Sequence, residues 1–166
     1  MFNDGLVGVN KERPEITIEL STSDKLLEVI ALLTLITIWI YVIYNYASLP
    51  EIINTHFDAN GKPNGSGEKY YIFGLPGVAT FLYTMLTIVN KFPHKMNFTE
   101  EITEHNALVE YTKATKMMRL LKTIVVFVFG YACFQTIGNI NVSPWFLPLF
   151  IISILSPILY YNLKKK

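Results

Sequence analysis

Charge is scarce in this chain: Asp, Glu, Lys and Arg together make 16% of its 166 residues, against about 25% in an ordinary globular domain. Cysteine is scarcer still. The one copy, Cys133, excludes an internal disulfide, and no Cys/His spacing of the zinc type occurs. A glycine-rich phosphate loop and a zinc-protease motif are both missing, and His94 and His105 stand without a nucleophile or partner histidine at useful spacing. Basic residues do not interleave with aromatics on a soluble face, so nucleic acid is not an expected partner. The opening Met1-Phe2-Asn3-Asp4-Gly5 lacks the basic segment and apolar run of a cleaved signal peptide. These absences predict no enzyme, no cofactor and no metal.

What is present is apolar and arranged in blocks. Hydrophobic residues reach 51%, and charge-free gaps run from Glu28 to Glu51, from Lys69 to Lys91 and from Lys122 to Lys164. About 20 apolar residues as a helix cross roughly 30 Å of hydrocarbon. The first two gaps each fit one crossing, 26–47 and 71–90. The third is about twice that length, and Gly138-Asn139-Ile140-Asn141-Val142-Ser143-Pro144 divides it with helix breakers. It therefore predicts two antiparallel spans, 120–137 and 144–163. Aromatic rings mark the span ends as a headgroup belt would: Tyr41, Tyr44 and Tyr46, then Tyr70 and Tyr71, then Trp145, Tyr160 and Tyr161. Pro144 suits the first turn of the fourth helix, while Pro148 and Pro157 should bend it, with Ser153 placed to relieve the freed backbone near Pro157. The bilayer is thus the expected first partner of an all-α membrane protein.

Lysine and arginine set the sidedness. The arm holds Lys11, Arg13 and Lys25, the long connection holds Lys91, Lys95, Lys113, Lys116, Arg119 and Lys122, and the tail is Lys164-Lys165-Lys166; the other face has only Lys62 and Lys69. Four spans place the larger set together, which predicts a multi-pass protein of the plasma (inner) membrane with both termini cytoplasmic. The domain reading is a polar arm over 1–22 and one transmembrane domain over 23–166, with an outer loop at 48–70. Within the arm, Glu15-Ile16-Thr17-Ile18-Glu19-Leu20 alternates with period two, as an extended segment lying on a neighbour does. Ser23 is the expected cap of the first helix.

On the cytoplasmic side a helix is predicted over 99–119, capped by Thr99, with Glu100, Glu101 and Glu104 in its first turns. It runs into the third span without a Gly or Pro. This helix either docks a membrane or cytoplasmic protein partner or a second copy, or packs back on the arm, or lies along headgroups. Lys113, Lys116, Arg119 and Lys122 read as headgroup anchors. No ionisable residue lies deep in a span, which disfavours stand-alone transport. Asn45, Thr80, Thr84, Gln135 and Thr136 read as polar glue between helices.

The outer loop is the most informative segment. Dense in Asn, Gly and Pro, it reads as successive turns, yet it begins Leu49-Pro50 and carries His56-Phe57 at its centre. Asp58-x-Asn60 with Glu68 has the outline of a calcium loop, but Pro63 stands where the sixth position requires Gly, which excludes an EF-hand. His56, Asp58, Glu51 and Glu68 could ligate a cation, or His56 and Asp58 could form a proton-sensitive pair. Alternatively His56 and Phe57 fold the loop down as a cap on the helices.

Leu49-Pro50, His56-Phe57, Gly61, Gly67 and Lys69, with the flanking spans, resemble a bacterial membrane family of unknown function, also found at the N-terminus of SdpI-like immunity and signalling proteins. In that motif Asp58, Asn64 and Glu68 here replace Asn, Asp and Ser. The resemblance reaches residues 26–92. It implies a structured extracytoplasmic loop between the first two transmembrane helices; the charge-free gaps and the unbroken stretch from Thr99 to Gly130 predict four such helices in all, the third extended into the cytoplasm. It marks Leu49, Pro50, His56, Phe57, Asp58, Gly61, Asn64, Gly67 and Lys69 as a candidate recognition loop. The expected function is non-enzymatic: a regulatory, sensor or immunity-like membrane protein whose loop recognises a ligand or peptide. The alternative is an accessory subunit of a larger membrane complex such as a transporter; a membrane enzyme built on His56 and Asp58 is third.

Overall fold

The computed structural model describes the chain from Arg13 to Leu163 and its side chains as far as Tyr161; residues 1–12, with Lys11, and the Lys164–Lys166 tail lie outside the described residues. Four α-helices and one β-hairpin follow in the order α1 (Thr22–Tyr46), β1 (Ile52–Phe57), β2 (Pro63–Glu68), α2 (Gly74–Val89), α3 (Ala107–Gly138) and α4 (Phe146–Leu163).

A capping box starts α1. The Ser21 backbone N–H donates to Asp24 Oδ2 at 3.0 Å, and the Asp24 N–H donates to Ser21 Oγ at 3.3 Å. The cap is therefore Ser21, two residues before the expected Ser23, because an acid three residues on completes the reciprocal pair only from there. One face of α1 buries Ala31, Leu35, Ile38 and Val42 at spacings of four and three, and the opposite face exposes Val29, Leu33, Ile36, Ile40 and Ile43. An uncovered apolar stripe of this length is costly in water and neutral in hydrocarbon.

A 3₁₀ turn over Lys69–Phe73 leads into α2. Trp39 Nε1 donates to Thr80 Oγ1 at 3.0 Å, and that hydroxyl donates in turn to the Pro76 carbonyl at 2.7 Å, which joins α1 to α2. Helix α3 is the longest, with 32 residues, or about 48 Å at 1.5 Å per residue. It packs against each of the other three helices. The main core, Leu35, Ile38, Val42, Leu49, Ile53, Ile72, Ala79, Val126 and Cys133, lies between α1, α2, α3 and the hairpin. Three stretches, Thr22–Tyr46, Lys69–Val89 and Ala107–Gly138, are long and apolar enough to cross a membrane, and Phe146–Tyr161 is a shorter apolar helical stretch.

Several local expectations move. The helix foreseen from Thr99 begins at Ala107, because 99–106 closes into a turn around Asn106. Its Oδ1 accepts from the Thr103 N–H at 2.7 Å and its Nδ2 donates to the Glu101 carbonyl at 2.9 Å, consuming donors and acceptors that a helix would need. Ile102 is then buried with Ala107 and Tyr111, against Ile16, Ile18 and Phe98. The arm is thus extended and lies on the start of α3, its exposure alternating from Arg13 to Glu19. Arg13 Nη1 donates to the carbonyls of His94 at 3.3 Å and Met96 at 2.5 Å, and its guanidinium lies over Phe98.

Pro144 stands in a turn before α4, not in its first helical turn. Pro148 is the third helical residue, where no intrahelical N–H bond is lost, so Pro157 is the interior proline of α4. The carbonyl that Pro157 leaves free belongs to Ser153, and the Ser156 hydroxyl donates to it at 3.4 Å. Relief therefore comes from Ser156, while Ser153 Oγ donates to Phe150 O at 2.7 Å.

Candidate functional site

The loop expected to be a run of turns is an antiparallel hairpin. Ile52 faces Glu68, Ile53 faces Gly67 and Asn54 faces Ser66; the register then slips so that His56 faces Gly65 and Phe57 faces Pro63. Thr55 on β1 and then Asn64 on β2 are the extra residues of these two slips, which turn His56 and Phe57 relative to the start of the strand. The sequence hid the strands because β2 reads Pro-Asn-Gly-Ser-Gly-Glu, almost all residues depleted from strands. Pairing to β1 overrides that preference.

Each residue of the candidate loop has a definite place. Leu49 is buried in the main core and Pro50 is exposed beside it. Glu51 and Lys69 close the base, through a backbone bond and a 2.9 Å ion pair, and Lys69 Nζ also lies 5.4 Å from the Tyr46 ring. His56 Nδ1 pairs with Asn64 Oδ1 across the strands, on the exposed side. Asp58 builds the tip, its Oδ1 accepting from the N–H groups of Asn60 at 2.8 Å and Lys62 at 2.9 Å. Gly61 takes φ +76°, and a Cβ there would lie 1.7 Å from the Val142 carbonyl oxygen. Gly67 lets the Tyr71 ring close on the strand, 2.8 Å from where its Cβ would be.

The tip is tied to the turn between α3 and α4. The Val142 N–H donates to the Gly61 carbonyl at 3.0 Å, and Asn54 Nδ2 donates to Asn139 Oδ1 at 2.7 Å. Asn139 holds left-handed φ 49° as the C-cap of α3, a place that Gly or Asn fills. Beneath this roof lie two grooves. One, of about 590 Å³, runs between the hairpin and α2 and α3, lined by Ile53, Thr55, Phe57, Tyr71, Leu75 and Ala132 among others. The second, of about 320 Å³, faces α3 and α4 and includes His56, Phe57, Asp58, Tyr131, Ala132 and Phe146. Phe57 and Ala132 border both. The acids and the histidine do not converge: Glu51 turns to Lys69, His56 to Asn64 and Asp58 to its own turn. Among the described residues no three of His, Cys, Asp and Glu come together as a metal site.

A second polar centre, not foreseen, lies at the other end of the helices. Asp24 and Glu28, one turn apart on α1, meet Arg119 and Lys122 on α3. Lys122 Nζ is 2.5 Å from Glu28 Oε2, 2.9 Å from Thr87 Oγ1 on α2 and 4.7 Å from the Tyr83 ring centroid. Arg119 is 3.4 Å from Glu28 and 3.7 Å from Asp24. Lys122 is only 1% exposed, and Asp24 and Arg119 are buried as well. The expectation that Arg119 and Lys122 anchor to headgroups is thereby corrected. Their helix face points at α1, where two acids offset charges that otherwise have no place in a core. The sequence shows acids at i and i+4 and bases at i and i+3, each at the edge of an apolar run, but not that the two sets meet.

Compared with known proteins, residues 32–80 match a family model described as Domain of unknown function (DUF1648). That stretch holds the second part of α1, the hairpin and the start of α2. The chain is also 28% identical, over 86 residues, to an uncharacterized protein of the archaeon Archaeoglobus fulgidus. The aligned stretch is 47% of each chain, so the match spans about half the length of that relative. No solved structure matches.

Proposed function

We propose that this chain is a non-enzymatic receptor-type protein of the plasma membrane, with four spans, both termini cytoplasmic, and the hairpin on the outer face as its recognition element. The supporting observation is the roof: β1 and β2 cover two grooves that meet at Phe57, and their sizes fall in the range of ligand sites. A ligand or peptide entering there would press on the hairpin tip, and the tip is bonded to the α3–α4 turn through Gly61–Val142 and Asn54–Asn139. Helix α3 runs from that turn to Tyr111 and the docked arm, so a shift of its outer end would reach a cytoplasmic partner or a second copy at the 107–119 end. This is a regulatory, sensor or immunity-like role. Catalysis finds little support, since His56 and Asp58 are engaged in the hairpin's own architecture.

The test replaces Phe57 with the photo-crosslinking analogue benzoylphenylalanine in intact host cells. Irradiation is expected to give an adduct of discrete mass, and adding Ala132→Phe, which fills the space between the grooves, is expected to abolish it. Absence of an adduct, or one indifferent to Ala132→Phe at equal protein level, would overturn recognition by the hairpin.

A further inference from the structure

The groove under the hairpin does not end at the hairpin. Its α4 side shares Tyr131, Ser143 and Phe146 with a third cleft, of about 330 Å³, which descends between α3 and α4 along Val128, Leu149, Phe150 and Ser153. The Tyr131 and Phe146 rings stack 4.8 Å apart where the two spaces join. From Phe146 to Ser153 the cleft follows α4 for two turns, about 10 Å at 1.5 Å per residue. Its mouth is lateral, because Leu147 and Leu149 beside it are exposed on the apolar surface of α4.

Polarity changes along this path. Under the hairpin the lining includes the polar residues Thr55, Ser66, His56 and Asp58, the last two already bonded in part within the hairpin. In the cleft the walls are hydrocarbon and aromatic, and the Ser153 hydroxyl is already committed to the Phe150 carbonyl at 2.7 Å. A peptide laid into such a cleft would leave its own N–H and C=O groups unpaired in an apolar medium. A hydrocarbon chain has no such groups to satisfy.

We propose that the ligand is a membrane-borne single-chain amphiphile, its polar head under the hairpin and its hydrocarbon tail in the cleft between α3 and α4, entering sideways from the outer leaflet. This rests on the recognition reading above and adds the class of ligand and its route. The aromatic pair Tyr131–Phe146 lies at the level where head and tail would meet, the depth that amphipathic rings favour in a bilayer.

The experiment uses the full chain reconstituted in phosphatidylcholine vesicles and palmitic acid carrying a mid-chain diazirine as the probe. After irradiation, labelled positions are mapped by mass spectrometry across rising probe concentrations. Labelling of Val128, Leu149 and Phe150 is expected to saturate and to fall several-fold under excess unlabelled palmitate. Labelling of Ile36 and Ile40, on the exposed face of α1, should rise without saturation and resist competition. Leu149→Trp, at an exposed position whose change spares the core, should reduce cleft labelling to the α1 level. Cleft labelling that rises in proportion to probe, as on α1, overturns the proposal. If that happens while the Phe57 photo-adduct persists, recognition stands and the ligand is water-borne; if both fail, the recognition reading falls with it.

Discussion

Gly61 shows how much of the hairpin end of the molecule depends on a single missing Cβ. Its φ of +76° lies in the left-handed region, and the Val142 carbonyl oxygen occupies the space a side chain would need. An alanine would cost of order 1–3 kcal/mol for the backbone conformation alone. The overlap would also push the tip off Val142 and break the 3.0 Å bond that joins hairpin to turn. Gly77 is the contrasting case: it lies in α2, and a Cβ there would meet nothing within 4 Å. Gly61→Ala is therefore expected to lower the thermal midpoint of the detergent-purified protein. Gly77→Ala is expected to raise it, by roughly 0.5–1 kcal/mol of helix preference. Circular dichroism melts of the two variants against the parent check both signs; equal midpoints for all three would remove the constraint assigned to Gly61.

At the scale of elements, the ionic layer joins α1 to α3 as the hairpin joins α1 to α2, and its members are not equivalent. Glu28→Met leaves Lys122, 1% exposed, with only the Thr87 hydroxyl and the Tyr83 ring. Stranding a buried cation costs about 3–5 kcal/mol, and these two contacts place the expected loss at the lower end. Lys122→Met leaves Glu28 a quarter exposed and 3.4 Å from Arg119, so its loss should be smaller. Removing both charges with Glu28→Met and Lys122→Met should restore most of the stability. Denaturant unfolding of the two singles and the double gives the coupling, and strictly additive losses would mean that the pair does not act as a unit. The same layer shows what the sequence could and could not reveal. Charge-free gaps located α1, α2 and the apolar part of α3, because length and polarity mark a candidate span one helix at a time. The pairing of Glu28 with Lys122 joins residues 94 apart, and no local pattern states which face of α3 meets α1. The hairpin was hidden for the opposite reason: Pro63–Glu68 has a turn-like composition, and only its partner strand makes it extended. Asn106 won over Thr99 because its side chain closes a turn on Thr103 and Glu101, a local competition that acid-rich residues alone do not reveal. Of the candidate loop, Leu49 packs in the core and Gly61 closes on Val142, whereas Ala132, Asn139 and Val142, against which the loop closes, lie far along the chain and carry no motif.

For the molecule as a whole, the arrangement is polar at both ends and apolar between. The hairpin and the α3–α4 turn make one end; the ionic layer, the docked arm and 92–106 make the other. Lysine and arginine concentrate at the second end, which the proposed topology, following the positive-inside preference, puts in the cytoplasm. Ser66 on β2 and Thr103 before α3 are both exposed and lie at opposite ends, so a cysteine at either is free to react wherever a reagent can reach it. The native Cys133 is fully buried in the core and contributes no background. In intact cells, Ser66→Cys is expected to react with a membrane-impermeant maleimide, and Thr103→Cys only after permeabilisation. Lys165→Cys reports on α4 in the same way: labelling only after permeabilisation means that α4 crosses, whereas labelling in intact cells leaves three spans and puts the tail outside. Inverted reactivity of Ser66→Cys and Thr103→Cys would place the hairpin in the cytoplasm. It would then remove the outer-leaflet route to the α3–α4 cleft along with the sidedness.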